Sequence, residues 1–268
     1  MNLKQKTEQV SLIAKEVGLF IQLESNKFSA GDIKTKSKNS LVTYVDKTAE
    51  KKIVDFLSEL IPESGFIAEE GTSNKQGEEY NWIIDPLDGT TNFIHGIPTY
   101  CVSIALLRNK ELILGVIYEP NQEELFSAWK NGGAYLNGKS ISVSSTENIS
   151  DALLATGFPY YDYKKLEGYM EVLTWLMRNS RGVRRIGSAA IDMAYVACGR
   201  FEGFYEYSLN PWDVAAGALL VREAGGSVTD FKGGENYLFG KEILASNLLL
   251  KNELMQKIKK SFRTNLSK

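Results

Sequence analysis

The segment Trp82 to Phe93, WIIDPLDGTTNF, most constrains the fold of this 268-residue chain. Its apolar start predicts a buried strand that ends at Pro86, which leaves Asp85 at the buried end of the strand. Asp88 follows one turn later, and the motif contains no lysine or arginine. Because buried carboxylates need compensation and two of them repel each other, we expect a divalent cation between them.

The histidine count narrows the chemistry further. The chain has one histidine and two cysteines, so a Ser-His-Asp triad would have to run through His95, and sites with several histidines are excluded. Two thiols cannot form a zinc module, and both cysteines lie in apolar segments typical of buried residues.

Oxygen ligands favour Mg²⁺, with Mn²⁺ able to substitute. Gly89 and Thr90, at a predicted helix start, offer backbone N–H groups to a phosphate.

Periodicity divides the chain near residue 147. Residues 1–147 predict a helix over 3–25, a short strand at LVTYVD, a helix capped by Asp46 and then a largely antiparallel sheet. Residues 148–268 alternate strands and helices as an α/β half, and we expect both halves to pack as one compact unit. The start MNLKQKTEQV is too polar for a signal peptide, and no apolar run is long enough to span a membrane. We therefore expect a cytoplasmic protein.

Further acidic and hydroxyl side chains follow other predicted strands, and each has a simpler interpretation. Asp213, in NPWDVAAG, and Ser188, in IGSAAID, both have the pattern of a helix N-cap, and Asp88 before GTTNF does too. Glu69 and Glu70, at the end of GFIAEEG, are of a type usually found at the surface. The pattern alone leaves these alternatives open. The small residues after Asp213 indicate a closely packed, interior helix.

Two long motifs carry a resemblance to a known family. WIIDPLDGTTNFIHG and NPWDVAAGALLVREAGG closely resemble the two signatures of the inositol monophosphatase family of Mg²⁺-dependent, Li⁺-sensitive phosphatases. VTYVDKTAE, FIAEEG and RRIGSAAIDMAYVACGRFEGFYE also fit, so the likeness covers nearly the whole chain. It implies a carbohydrate phosphatase fold, a layered α-β-α-β-α sandwich of mixed α+β and α/β character.

The resemblance also implies roles for single residues. Two or three Mg²⁺ ions are expected on Glu69, Asp85, the carbonyl of Leu87, Asp88 and Asp213, with Asp88 also counted as catalytic. Glu69 and Thr90 are expected to position the attacking water, and the amides of Gly89 and Thr90 to hold phosphate. The expected contacts to the rest of the substrate are Gly187, Ser188, Ala189, Glu206 and Asp213. Lys36 matches a lysine of the family's mobile loop, but Lys34 and Lys38 are equally well placed, and Ser40 stands where many members have an acidic residue.

The expected activity is hydrolysis of inositol 1-phosphate by a metal-activated water. Fructose-1,6-bisphosphatase and 3'-phosphoadenosine 5'-phosphate phosphatase are alternatives within the superfamily. Glu206 favours a polyol, because a carboxylate would repel a second phosphate, whereas Arg184 and Arg185 could bind one or be a surface or subunit-contact pair.

A regulatory RNA- or protein-binding module with secondary phosphatase activity is an alternative of another class. A net charge of −2 argues against a nucleic-acid partner without excluding one. The expected partners are therefore a small phosphate monoester and, as in relatives, a second copy of the chain in a homodimer, with no membrane.

Overall fold

A computed structural model describes residues 1–25, 34–37, 40–42, 44–159 and 162–263, with the backbone alone described for 34–37, 40–42 and 263. Lys34, Lys36 and Lys38 were candidates for a loop lysine that reaches the site, and their side chains lie outside the described part. No helix in the described ranges is long and apolar enough to cross a membrane.

Within its described residues, the first half contains three helices and nine strands. They are α1 (Leu3–Ser25), β1 (Lys34–Ser37), β2 (Ser40–Val42), α2 (Tyr44–Leu60), β3 (Gly65–Ala68), β4 (Tyr80–Asp88), α3 (Thr90–Ile94), β5 (Cys101–Arg108), β6 (Glu111–Glu119), β7 (Glu124–Trp129), β8 (Gly133–Leu136) and β9 (Lys139–Ile141). Strands β3 to β9 form one sheet in sequence order, antiparallel except for the parallel pair β3–β4. The antiparallel sheet expected from the sequence is therefore confirmed, apart from that one pair.

The second half alternates as expected. After a short 3-10 helix (Ile149–Asp151) come β10 (Leu153–Thr156), α4 (Leu166–Asn179), β11 (Gly182–Arg184), α5 (Ala189–Ala197), β12 (Gly203–Tyr207), α6 (Pro211–Glu223), β13 (Ser227–Thr229), β14 (Glu242–Ser246) and α7 (Lys251–Arg263). The five strands pair in the order β11-β10-β12-β14-β13, with the first three parallel.

The two sheets alternate with three helical layers. Helices α1 and α2 cover one face of the seven-stranded sheet, α5 and α6 lie between the sheets, and α4 and α7 cover the other face of the five-stranded sheet. Successive residues of β4 point to opposite layers, so Ile83 joins the inner core while Trp82 and Ile84 join the core under α1 and α2. The layered α-β-α-β-α sandwich is confirmed.

The interior position of α6 is visible in its contacts. A Cβ placed on Gly217 would lie 2.6 Å from Cβ of Met193 in α5, and one on Gly115 of β6 would lie 2.9 Å from the carbonyl oxygen of Ala216. Helices α5 and α6 pack on both sheets, so these contacts do not define a boundary at residue 147. The division into halves there stays a prediction.

Two expectations about local structure were wrong. The alternation in LVTYVD predicted a strand through Asp46, but β2 ends at Val42 and α2 begins at Tyr44, so Asp46 lies in the first turn of the helix. Pro86 was expected to end the strand, but β4 runs on to Asp88. Asp85 pairs with Ser103 and Asp88 with Cys101, so three steps on β4 face two on β5 and Pro86 sits in a bulge, where a missing N–H is tolerated.

Candidate active site

A cavity of about 400 Å³ opens where β4 and β12 end and α5 and α6 begin. It is lined by residues of both halves that the sequence singled out: Glu69, Asp88, Gly89, Thr90, Gly187, Ser188, Ala189, Glu206 and Asp213. Asp85 and Leu87 are buried directly behind this wall, with exposed fractions of 2% and 1%. The fold thus brings the predicted site residues together from positions up to 144 apart along the chain.

Asp88 joins the two halves of the chain. Its Oδ2 accepts hydrogen bonds from Oγ of Ser188, at 2.6 Å, and from the backbone N of Ala190, at 2.7 Å. Ser188 is also the N-cap of α5, since its Oγ accepts from the backbone N of Ile191. The capping interpretation of Ser188 is therefore correct, and the same hydroxyl orients the Asp88 carboxylate.

Asp85 and Glu69 form the inner part of the site. Oδ1 of Asp85 accepts from the backbone N of Leu87 at 2.9 Å, and its carboxyl is also hydrogen-bonded to that of Glu69. Glu69 is placed by its own backbone N, which donates to the carbonyl oxygen of Ile84, and by the turn that follows it. That turn is held by the buried carboxylate of Glu50, which accepts from the backbone N of Glu70 and of Thr72.

The hydroxyl of Thr90 is hydrogen-bonded within its own loop. Its Oγ1 donates to the carbonyl oxygen of Leu87 at 3.0 Å, whereas the carboxyl hydrogen bond of Glu69 is to Asp85. Within the described residues Thr90 and Glu69 line the same cavity without a hydrogen bond between them. The joint role of Thr90 and Glu69 in positioning water therefore stays a prediction.

Asp213 closes the site from α6. It is not the N-cap of this helix: Asn210 is, and Asp213 is the third helical residue of a capping box. Its Oδ2 accepts from the backbone N of Asn210 at 2.7 Å, and the side chain still lines the cavity. The capping box thus fixes the rotamer of Asp213 through one carboxylate oxygen and leaves the other oxygen outside the box.

Burial raises the pKa of all four acids, and neighbouring carboxylates add to the shift in three of them. Burial raises the pKa of Glu69 and of Asp85 well above the ordinary range, and the nearby carboxylates raise both further. Burial raises the pKa of Asp88 to about 6, against the opposing hydrogen bonds from Ser188 and Ala190. Burial and the charge of Asp88 raise the pKa of Asp213 to about 7. Negative charge is therefore costly here and favours a bound cation.

The chemistry of these donors fits Mg²⁺. Asp85, Asp88 and Asp213 each have one carboxylate oxygen held by a backbone or hydroxyl donor, which orients the group toward its neighbours. In the described ranges no three carboxylate, imidazole or thiolate side chains form a ready-made metal cage. Mg²⁺ binds through a few carboxylates and completes its coordination with waters and substrate phosphate oxygens, so oxygen donors beside an open cavity suit it.

Glycines shape the walls around the acids. Gly89 (φ 101°) and Gly187 (φ 102°) both have backbone conformations that L side chains rarely adopt. A Cβ on Gly157 would lie 2.0 Å from Oε2 of Glu206, so this glycine makes room for the Glu206 carboxyl. Glu206 is only 7% exposed, and burial, followed by the charge of Asp213, raises its pKa well above the ordinary range.

Several site residues were missed by the sequence analysis. Nδ2 of the buried Asn92, inside the opening motif, donates to the carbonyl oxygens of Thr99 and Ile186 and so ties the segment after β4 to the other half. Asp46 is 3% exposed, and its charge raises the pKa of Glu69. The contacts that reveal these roles join segments that are distant in the sequence, so no local pattern encodes them. The only available signal for Asn92 and Asp46 was that both lie within the family motifs.

Asp192 was missed as well, because on α5 it has the pattern of an ordinary first-turn acid. It is 1% exposed and lines the cavity, and its Oδ1 has no hydrogen-bond partner within the described residues. Burial, and then the charge of Glu206, raises the pKa of Asp192 well above the ordinary range. Asp192 is therefore a further buried acid on the cavity wall, beside Glu206 and the acids expected to bind metal.

The arginine pair separates into two different residues. Arg185 lines the cavity, its guanidinium lies 5.4 Å from the ring centroid of Phe158, and its charge lowers the pKa of Asp88 and Glu206 against the effect of burial. Arg184 is exposed, is absent from the cavity lining and donates to the carbonyl oxygen of its neighbour Val183. Arg185 is thus the one of the two that can act on a ligand in the site.

Comparisons with known proteins agree with this geometry. A model described as the inositol monophosphatase family matches residues 2–266. The chain is 41% identical to the inositol-1-monophosphatase of Mesorhizobium japonicum, over 85% of this chain and 86% of that protein. It is equally identical to the Nus factor SuhB of Pseudomonas aeruginosa, over 87% and 88%. The structure of an inositol monophosphatase from Anabaena superposes with a TM-score of 0.86 at 36% identity, covering 97% of both chains.

Proposed function

This chain belongs to the inositol monophosphatase family, and on that premise we propose that it is a Mg²⁺-dependent phosphate monoester hydrolase whose substrate is inositol 1-phosphate. The observation that carries the proposal is the convergence of Glu69, Asp85, Asp88 and Asp213 around one cavity, where burial raises the pKa of each and neighbouring carboxylates raise the pKa of Glu69, Asp85 and Asp213 further. A group of acids held in this way needs a cation.

The metal would be held by the four carboxylates and the carbonyl oxygen of Leu87. When bound, Mg²⁺ would supply Lewis-acid stabilisation of the charge that develops on the phosphoryl group and the leaving oxygen. Ser188 and Ala190 keep the Asp88 carboxylate in one orientation, and Asn210 does the same for Asp213. Because these ligands are already oriented, they need not rearrange during the reaction. Such preorganisation is a main source of electrostatic catalysis.

The phosphate would rest on the backbone that follows Asp88. Gly89 lets the chain approach a ligand closely, and the first N–H groups of α3 have no carbonyl partner within the helix. Thr90 and Glu69 lie on the cavity wall beside this backbone, where they would orient the attacking water and accept its proton.

The alcohol part of the substrate would lie toward β12. The buried carboxyl of Glu206 would bond substrate hydroxyls, and Gly187, Ser188 and Ala189 line the cavity wall as well. A carboxyl at this position favours a polyol over a second phosphate, which is why inositol 1-phosphate is preferred to fructose 1,6-bisphosphate and 3'-phosphoadenosine 5'-phosphate. Arg185 on the same wall is the feature that favours these two alternatives.

A phosphate-release assay tests the proposal. The substrates are inositol 1-phosphate, fructose 1,6-bisphosphate, 3'-phosphoadenosine 5'-phosphate, histidinol phosphate and β-glycerophosphate, each with Mg²⁺, with Mn²⁺ and with Li⁺ added to Mg²⁺. We expect Mg²⁺-dependent, Li⁺-inhibited release that is fastest with inositol 1-phosphate. Fastest release from another of these substrates would identify that compound as the preferred substrate. No Mg²⁺-dependent release from any of them would contradict the enzymatic function.

A binding role is the second candidate, and it is favoured by the relatives named Nus factors at about the same identity as the named phosphatase. Under this alternative the protein acts by contacting RNA or a protein, and the phosphatase site is secondary. Binding that persists in the folded Asp88→Asn variant and is required in cells would favour it. We also propose a homodimer in the cytoplasm, for which light scattering after size-exclusion chromatography measures the oligomeric state.

A further inference from the structure

A second cavity, of about 630 Å³, lies in the C-terminal half outside the active site. Its walls come from the segment before α4, the loop after β13 and the last turns of α7. We call it the lysine cavity and define it by six of its lining residues: Lys164, Lys165, Phe231, Lys232, Lys259 and Phe262. Its volume is within the usual range for sites that bind small molecules.

The lysine cavity has unbalanced positive charge. Its four ammonium groups face two carboxylates, those of Asp230 and Glu242. Glu242 is paired with Lys165 at 2.5 Å. Among the residues that the structure describes, the other three lysines have no carboxylate partner. Two uncompensated positive charges in a concave site attract an anion.

The second carboxylate, that of Asp230, is committed to the backbone of its own loop. Its Oδ1 accepts from the backbone N of Lys232 and of Gly234, both at 2.8 Å, and its Oδ2 accepts from the backbone N of Asn236 at 3.3 Å. These bonds fix the loop that carries Lys232. Lys259 reaches over the same loop, because its Nζ would lie 3.0 Å from a Cβ placed on Gly233. The two lysines are therefore held on one ordered rim.

The floor of the lysine cavity is aromatic. Phe231 is 4% exposed, and its ring centroid lies 4.6 Å from that of the half-buried Phe262. A cationic rim above an apolar, aromatic floor matches a molecule with a phosphate group at one end and a planar ring at the other. Lysine acts on phosphate as a point charge, and an aromatic side chain provides a surface for a planar ring.

We propose that the lysine cavity is a nucleotide-binding site, with the phosphates on Lys164, Lys232 and Lys259 and the base against Phe262. The site is separate from the acid cluster, although the two cavities share a wall. Asp162 and Lys241 line the active site, while Lys164, two residues after Asp162, and Glu242, directly after Lys241, line the lysine cavity. Binding therefore needs neither Mg²⁺ nor the catalytic acids.

Fluorescence anisotropy of a methylanthraniloyl derivative of ADP tests this assignment on the full chain. The measurement is made in EDTA, so that anion binding through a metal in the active site does not contribute. We expect saturable binding that weakens about tenfold or more in the double variant Lys232→Gln/Lys259→Gln. The matched control Lys4→Gln/Lys139→Gln has the same net charge and is expected to bind like wild type.

Two further measurements show where the probe binds and which part of it is recognised. Arg185→Gln, in the active site, is expected to leave binding unchanged, and loss of binding in this variant but not in the lysine double variant would overturn the proposal. Pyrophosphate is expected to compete at least about tenfold more weakly than ADP, because it lacks the ring. Equal competition by pyrophosphate, equal weakening in both double variants or no saturable binding would each contradict a nucleotide site.

Discussion

Ser188 of α5 donates a 2.6 Å hydrogen bond to Oδ2 of Asp88, one hundred residues earlier in the chain. The same hydroxyl caps α5, so the start of this helix and the end of β4 are positioned by one side chain. This relationship explains why the two sequence motifs belong together: the loop that ends β4 gains a fixed carboxylate only when the second half packs onto it.

Replacing Ser188 by alanine should therefore affect both stability and activity. Loss of the cap should cost about 1 kcal/mol, or about 2–4 °C in Tm, and release of Asp88 should lower kcat/KM about ten- to hundredfold. Ser180→Ala is the matched control, because the Ser180 hydroxyl donates to the carbonyl oxygen of Leu176 at the end of α4, away from the site. A similar loss of activity in both variants, measured by phosphate release, would contradict a special role for Ser188.

Gly157→Ala should displace the carboxyl of Glu206, since the added Cβ would lie 2.0 Å from Oε2. We expect kcat/KM for inositol 1-phosphate to fall about tenfold or more, while that for p-nitrophenyl phosphate, which has no sugar hydroxyls, changes little. Gly182→Ala is the control, because its Cβ would meet the flexible end of Arg184, at 3.2 Å, and make an ordinary van der Waals contact with Leu153, at 3.6 Å. Equal losses on the two substrates would argue that Glu206 does not recognise hydroxyls.

The neighbouring arginines allow a matched comparison. Arg185→Gln removes a positive charge from the cavity wall and should raise KM for the phosphate substrate about tenfold, because a charge-assisted contact to the anion is lost. Arg184→Gln removes the same charge outside the cavity and should leave KM near the wild-type value. If steady-state kinetics gave the same KM for both variants, Arg185 would have no specific role toward the anion.

The acid cluster should make the metal-free protein less stable as pH rises. Asp88 and Asp213 have folded-state pKa values of about 6 and about 7, above the ordinary value of 3.8, so both bind protons more tightly in the folded than in the unfolded chain. Their contribution to stability is therefore fully present below the ordinary value and is lost as pH rises through the folded values. In EDTA, Tm should fall between about pH 4 and pH 7 more steeply for wild type than for Asp88→Asn/Asp213→Asn. Parallel curves for the two proteins would rule out this source of pH dependence.

Local patterns predicted much of the fold, because apolar residues recur at the positions where each helix or strand faces the core. The run Trp82–Ile84 is a strand, and the small residues after Asp213 pack against other elements as expected. Two boundaries failed for physical reasons. Six alternating residues also suit the end of one strand followed by the first turn of a helix, as at β2 and α2. Pro86 is accommodated by a bulge that depends on the register with β5, which no local pattern encodes.

The site was predictable to the extent that its chemistry lies within motifs. The acids expected to bind metal do converge, but the hydrogen bonds that orient them come from distant segments, as those from Ser188 and Ala190 to Asp88 do. Asp192 shows the limit most clearly. Its neighbours in sequence indicate an ordinary acid in the first turn of a helix, and only the packing of α5 against β12 places it beside Glu206.

The most direct test of the metal-site proposal is Mg²⁺-dependent phosphate release by Asp88→Asn, on whichever substrate wild type hydrolyses fastest. The substitution keeps the shape of the side chain and removes its charge, so the protein should stay folded by circular dichroism. Activity should fall about a thousandfold or more, because several kcal/mol of charge stabilisation depends on this ligand. The control Asp151→Asn changes an exposed acid and should remain active. Near-normal, Mg²⁺-dependent turnover by folded Asp88→Asn would contradict the proposal that these acids form the catalytic metal site.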